Sequence, residues 1–123
     1  CATVAPAGGT VCVAPTPIPG VGRFAVVQDP TGAYFSPVQL DAPEPVPEGA
    51  PAQGMAWWHE LMTPEPERAA AFYAATLGWQ AVAQAMPFGP YWLLTRADGT
   101  PAGGLMAPPA DAPPMPAHWT VYV

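Results

Sequence analysis

Trp58-His59-Glu60-Leu61-Met62-Thr63-Pro64-Glu65-Pro66-Glu67-Arg68-Ala69-Ala70-Ala71-Phe72-Tyr73, continuing to Leu77-Gly78-Trp79, is the stretch that decides the fold. Ala56 to Met62 is apolar and aromatic and reads as a strand. Thr63 then stands where a helix N-cap belongs, with Pro64 at the first helical position and Glu65 and Glu67 in the first turn, where the helix dipole favours negative charge. Ala69, Phe72, Tyr73, Thr76 and Leu77 fall at i, i+3, i+4, i+7 and i+8, one apolar stripe of a 3.6-residue helix. Gly78 supplies the stop. The stretch predicts strand, capped helix, strand.

Downstream, Trp79 to Ala85 and Tyr91 to Arg96 read as strands flanking a Pro87-Phe88-Gly89-Pro90 turn. Asp98-Gly99 is a two-residue hairpin signal leading into a strand from Ala102 to Ala107. A proline-rich connector over residues 108–116 precedes a last strand, His118 to Val123. Upstream, Thr10 to Ala14 and Arg23 to Gln28 are strands. Asp29-Pro30-Thr31-Gly32 is a tight turn, returning through Ala33 to Gln39, with Pro37 marking an edge or a bulge because it cannot donate to a ladder. Residues 41–54 carry Pro43, Pro45, Pro47 and Pro51 and read as a stiff linker. The expected fold class is α+β, with eight strands and one main helix in the order β-β-β, linker, β-α-β-β-β, linker, β.

The chain of 123 residues fits one domain, and 50% hydrophobic residues predict a true core. The 5 Trp are expected to dominate it, since each buried aromatic removes roughly 150 to 250 Å² from water. The 20 Pro and 12 Gly would suggest disorder, yet the aromatic and Val clusters between them are intact. Net charge is −6 and the only fixed cations are Arg23, Arg68 and Arg96, which argues against a nucleic-acid partner. No apolar run is long enough to span a bilayer and no signal peptide is visible, so the expected location is cytoplasmic. Cys1 and Cys12 are expected to be free thiols.

The order of elements, together with Trp58-His59-Glu60-Leu61, Phe72-Tyr73, Leu77-Gly78-Trp79, Gly103-Gly104-Leu105-Met106 and the Gly20-Val21-Gly22-Arg23-Phe24-Ala25-Val26 … Asp29-Pro30-Thr31-Gly32 hairpin, resembles the glyoxalase / bleomycin-resistance / dioxygenase (vicinal oxygen chelate) superfamily. Within it, the chain is most similar to tandem-domain, glyoxalase-like proteins. The resemblance implies a single domain over residues 1–123 made of two βαβββ modules enclosing a cup. One module, 56–107, is complete. The other is assembled from 10–39 plus 118–123 and lacks its helix, so the chain reads as a circular permutant or as a fragment of a tandem protein. The last strand is expected beside the strand near Tyr34. The uncovered sheet face implies a homodimer, with exchange of strands as one route to it.

In metal-dependent relatives, His and Glu ligands come from the first and last strands of each module. Carried over, these positions fall on Trp58, near Ser36, on Gly103 to Met106 and on Thr120, which are poor ligands apart from Glu60 beside Trp58. Glu60 shares the Trp58 face, and His59 turns to the other. Glu60 either pairs with an arginine, Arg96 being the candidate, or faces a wet cavity. The resemblance therefore implies a metal-free protein with no cofactor and no catalytic assignment. It would bind a small apolar or aromatic molecule through Trp58, Glu60, His59, Tyr91, Ser36, His118 and Tyr122. His59 and His118 read as a pair of polar groups at the cup rim or as two ordinary histidines at strand starts. Trp57, Trp92 and Trp119 join the aromatic residues that either line the cup or fill the core. The acidic surface would tolerate a cationic ligand. The rival reading is a metal-dependent lyase, isomerase or dioxygenase that recruits Glu60, His59 and His118 in shifted register.

Overall fold

The computed structural model describes residues 1–42 and 49–123, so most of the linker lies outside the described residues. Among the described residues nine strands and one α-helix follow one another: β1 (Thr10–Ile18), β2 (Gly22–Gln28), β3 (Tyr34–Phe35), β4 (Val38–Leu40), β5 (Trp58–Met62), α1 (Pro66–Leu77), β6 (Gln80–Met86), β7 (Gly89–Thr95), β8 (Pro101–Met106) and β9 (His118–Tyr122). The class is α+β, as the sequence predicts. The ninth strand arises because the return from the Asp29 turn is cut in two. Pro37 donates nothing, and its carbonyl accepts from Ala25 N–H at 3.1 Å.

Helix α1 begins later than the sequence reading places it. Pro66, not Pro64, opens it, and Glu65 at φ −124°, ψ 63° is the N-cap with no side-chain cap. A residue preceding proline is pushed away from helical ψ, so Pro66 forbids Glu65 from joining the first turn. Thr63 Oγ1 instead accepts from Glu65 N–H at 3.2 Å in the approach to the helix. Gly78 ends it in the left-handed region, φ 69°, donating to the Ala74 carbonyl at 3.1 Å. Of the predicted stripe, Ala69, Phe72 and Tyr73 are buried, whereas Leu77 reaches the surface.

One sheet has the order β6-β7-β8-β5-β9, with β5 parallel to β8 and antiparallel to β9. The other has the order β1-β2-β3, with β4 also on β2. The ladder of β9 thus runs along β5, from Trp58↔Tyr122 to Met62↔His118, and not along the strand near Tyr34 as expected. β3 is only two residues long and touches β9 without a ladder, whereas β5 offers β9 a full edge.

The five-stranded sheet has one covered face and one open face. Leu61, Leu94, Leu105 and Trp119 pack against Phe72 and Tyr73 of α1, with Val27 of β2 and Ala33 of the turn between β2 and β3 closing the same core. Tyr73 stacks on Trp79 at 5.6 Å and meets Trp119 edge-on at 5.5 Å. The fully buried aromatics are therefore Phe72 and Tyr73. The tryptophans are half-buried or, for Trp57, exposed, a correction to the expectation that they dominate the core. Their indole N–H groups need partners, which Trp58 finds in the half-buried Tyr91 hydroxyl and Trp119 in the buried Tyr73 hydroxyl.

A buried polar tie joins the sheets to the helix. Asp29 Oδ1 accepts from Thr31 N–H, Thr31 Oγ1, Gly32 N–H and Ala33 N–H, while Oδ2 accepts from Tyr73 hydroxyl at 2.9 Å. Trp119 Nε1 donates to the same hydroxyl at 3.0 Å. Burial, and then the Asp29 charge, push the Tyr73 hydroxyl far above its ordinary pKa. Cys1 and Cys12 are free and exposed. No described helix is long and apolar enough to cross a membrane.

Candidate functional site

Strand alternation sends Leu61 toward α1 and the flanking Trp58 and Glu60 to the open face. Register supplies the rest of the site. Glu60 lies opposite Gly104 on β8 and Thr120 on β9, and Trp58 lies opposite Tyr122. Tyr91, on β7, reaches over Gly104, where a built Cβ would collide with its hydroxyl and approach Trp58 Nε1 at 3.0 Å. The absence of a side chain at Gly104 therefore lets the Tyr91 hydroxyl sit between the indole and the carboxylate.

The resulting cluster is fully hydrogen-bonded. Trp58 Nε1 donates to Tyr91 Oη at 2.9 Å, Tyr91 Oη donates to Glu60 Oε2 at 3.0 Å, and Tyr122 Oη donates to Glu60 Oε1 at 2.9 Å. Glu60 is buried, with 8% of its surface exposed. Burial first, and then the hydrogen bond to Glu60, push the Tyr91 hydroxyl from 10.0 up to about 12, against the lowering effect of the Trp58 N–H. The hydrogen bond to Glu60 also raises Tyr122. Around this cluster Trp57, Trp58, Glu60, Met86, Phe88, Tyr91 and Tyr122 line an open depression of about 370 Å³.

The predicted site residues divide by face. Trp58, Glu60, Tyr91 and Tyr122 come together. His59 points the other way, into a hollow of about 350 Å³ on the helix side with Tyr34, Phe35, Tyr73, Trp79, Arg96, Ala102 and Trp119. Period-two alternation makes this separation unavoidable, so His59 is not in the depression. Ser36 lies in the break between β3 and β4, exposed and away from the cluster, because its segment belongs to the other sheet. His118 lies opposite Met62, one step beyond the cluster on the open face, with Nδ1 2.8 Å from the Pro116 carbonyl oxygen. The two histidines therefore stand on opposite faces and form no rim pair. Trp92 and Trp119 pack against the core and do not line the depression.

Arg96 does not pair with Glu60. It lies in the β7–β8 turn, where its guanidinium donates to Thr100 Oγ1 at 3.3 Å and to the Pro101 carbonyl. Sequence reasoning missed Gly104 as the space for Tyr91, and Met86 and Phe88 as lining. The β6–β7 turn is the two residues Pro87 and Phe88, with Met86 paired to Gly89, so both apolar side chains fall at the mouth.

The residues present do not fit a divalent metal. Among the described residues Glu60 is the one acid lining the depression, and no His or Cys joins it there. Among the described residues no three of His, Cys, Asp and Glu come together.

A β5-α1-β6-β7-β8 unit with β5 adjacent and parallel to β8 is a βαβββ module, and a further strand, β9, extends its sheet beyond β5. The chain belongs to the glyoxalase / bleomycin-resistance / dioxygenase (vicinal oxygen chelate) superfamily. It is 34% identical over 122 residues, 97% of its length, to the protein named "Putative glyoxylase CFP32" in Mycobacterium tuberculosis (strain CDC 1551 / Oshkosh), and equally to its namesake in Mycobacterium bovis. Over 75 residues, 58% of the chain and 26% of the relative, it is 41% identical to the anthracycline biosynthesis protein DauV of Streptomyces sp. (strain C5). The chain spans 44% of the length of the mycobacterial relatives. No protein-family model matches it.

Proposed function

We propose that the open face of the five-stranded sheet binds a small apolar or aromatic molecule without a metal. The observation that carries this is the locked carboxylate. Glu60 is the acid beside Trp58 on the first strand of the module, and each of its oxygens accepts one tyrosine hydroxyl while aromatic surface surrounds it. Flat ligands gain stacking area on Trp57, Trp58, Phe88 and Tyr122, and a shallow apolar floor with few polar groups suits binding more than turnover. The relatives named for anthracycline biosynthesis support an aromatic ligand, since anthracyclines are planar polycyclic compounds.

The test is titration of the protein's tryptophan fluorescence with a neutral bicyclic aromatic such as naphthalenemethanol, alongside equilibrium dialysis against Zn²⁺, Ni²⁺ and Fe²⁺. Saturable quenching that Trp58→Ala weakens, with no stoichiometric metal, supports the reading. One equivalent of bound metal that is lost in Glu60→Ala would overturn it and favour a metal-dependent lyase, isomerase or dioxygenase. Self-association into a homodimer belongs to the same proposal, resting on exposed Val13, Tyr34, Val38 and Val82. Sedimentation as a monomer at micromolar concentration would remove that part.

A further inference from the structure

Glu60 is a buried acid with no cation to answer it. The chain has three Lys or Arg residues in all, and every one is engaged elsewhere. Arg23 donates to Gln39 Oε1, at 2.8 Å from its Nε; Arg68 pairs with Glu65 at 3.2 Å; Arg96 is held by Thr100 and Pro101. His59 is on the opposite face, and His118 lies beside the Pro116 carbonyl. The tyrosines satisfy one acceptor position on each Glu60 oxygen and leave the negative charge uncompensated, although removing a carboxylate from water without a counter-charge is costly. The surfaces round it are π faces and edges: Trp57, Trp58, Phe88, Tyr91 and Tyr122, of which Trp57 and Phe88 are 62% and 56% exposed.

We infer that the ligand of this depression is an organic cation, a flat apolar body carrying a primary or secondary ammonium group that is directed at Glu60 and flanked by the tryptophan and tyrosine rings. This deepens the binding function proposed above and rests on it. An ammonium brings N–H donors for the free lone pairs of Glu60. Its positive charge is also attracted to the ring faces, an effect that grows as the site loses water. A carboxylate or phosphate ligand would meet the Glu60 charge with no cation to offset it.

The experiment compares two probes of the same size on the protein, 1-naphthylmethylamine, charged at neutral pH, and neutral 1-naphthalenemethanol, by calorimetric or fluorescence titration. The expected result is an ammonium preference of about tenfold or more in the wild type. In Glu60→Gln, whose amide oxygen still accepts a tyrosine hydroxyl, the preference should fall to within about twofold while the neutral probe keeps its affinity. Glu60→Asp, which retains the charge, should keep most of the preference and guards against misreading a folding defect. Equal affinity for both probes in the wild type overturns the cation inference and leaves the aromatic site standing. A preference that survives Glu60→Gln also overturns it. Failure of both probes removes the underlying binding function.

Discussion

Replacing Gly104 by alanine tests the geometry on which the site depends. A Cβ at this position would overlap the Tyr91 hydroxyl and ring and come to 3.0 Å from Trp58 Nε1. The ring must swing away, which breaks the hydrogen bond from Trp58 and the one to Glu60. A neutral hydrogen bond contributes about 1 kcal/mol and one to a charged acceptor about 1.5 to 3 kcal/mol, and the half-exposed position of Tyr91 reduces the sum. Gly104→Ala is therefore expected to cost about 2 to 3 kcal/mol. For a chain of this size that lowers Tm by roughly 6 to 15 °C in a calorimetric or circular-dichroism melt. The decisive control is the same change in a Tyr91→Ala background. There the obstructing ring is gone, the φ of Gly104 is not in the left-handed region, and the indole of Trp58, freed of its hydrogen bond, need give only a few tenths of an ångström, so alanine should be close to neutral. An equal loss in both backgrounds would refute the claim that Gly104 exists to seat Tyr91.

Gly103→Ala should be worse and should not be rescued by any side-chain truncation, since its Cβ would meet the His59 carbonyl oxygen at 2.6 Å and backbone cannot step aside; urea titration with and without Tyr91→Ala checks this. Asp29→Ala strips Tyr73 hydroxyl and the Thr31, Gly32 and Ala33 amides of their acceptor, and a loss of about 3 kcal/mol or more is expected from denaturant unfolding, with Tyr73→Phe costing clearly less. At alkaline pH the raised Tyr73 and Tyr91 hydroxyls remain protonated in the fold but ionise near 10 in the unfolded chain, so their contribution is complete below pH 10; that of Tyr91 is lost as pH climbs through about 12, and that of Tyr73 is lost only at still higher pH. Stability measured across that range should fall, and Tyr91→Phe together with Tyr73→Phe should flatten the slope. Glu65→Gln, which breaks a single exposed ion pair, should alter stability by less than about 1 kcal/mol in the same melts.

The sequence is most legible where one residue dictates its own backbone. Gly78 ends the helix as read, and Pro37 breaks the returning strand. The start of α1 is ambiguous in the sequence because Thr63-Pro64 and Glu65-Pro66 both carry start signals, and only the restriction that Pro66 places on Glu65 separates them. β1 extends through Pro15 and Pro17 to Ile18, beyond the expected end at Ala14, because it is an edge strand whose ladder with β2 is already irregular between Val13 and Thr16. At the site, period-two alternation was enough to put Trp58 beside Glu60 and to turn His59 away. It was not enough to pick Tyr91 and Tyr122 as the partners of Glu60, because that depends on which strands flank β5 and in what register. Asp29 read only as a turn residue. Its second role, accepting the Tyr73 hydroxyl 44 residues away, has no local signature.

The placement of β5 between β8 and β9 also sets a schedule for folding. The β6–β7–β8 meander is built from neighbours in sequence and can zip up within itself early. β5 precedes that meander in the chain, yet its two ladders wait for β8 and then β9, and Glu60 meets Tyr122 across 62 residues. During synthesis the carboxylate and the tryptophan beside it therefore leave the ribosome long before their last partner does. Of the ladders in this sheet, β5 with β9 closes the longest loop and so carries the largest closure entropy.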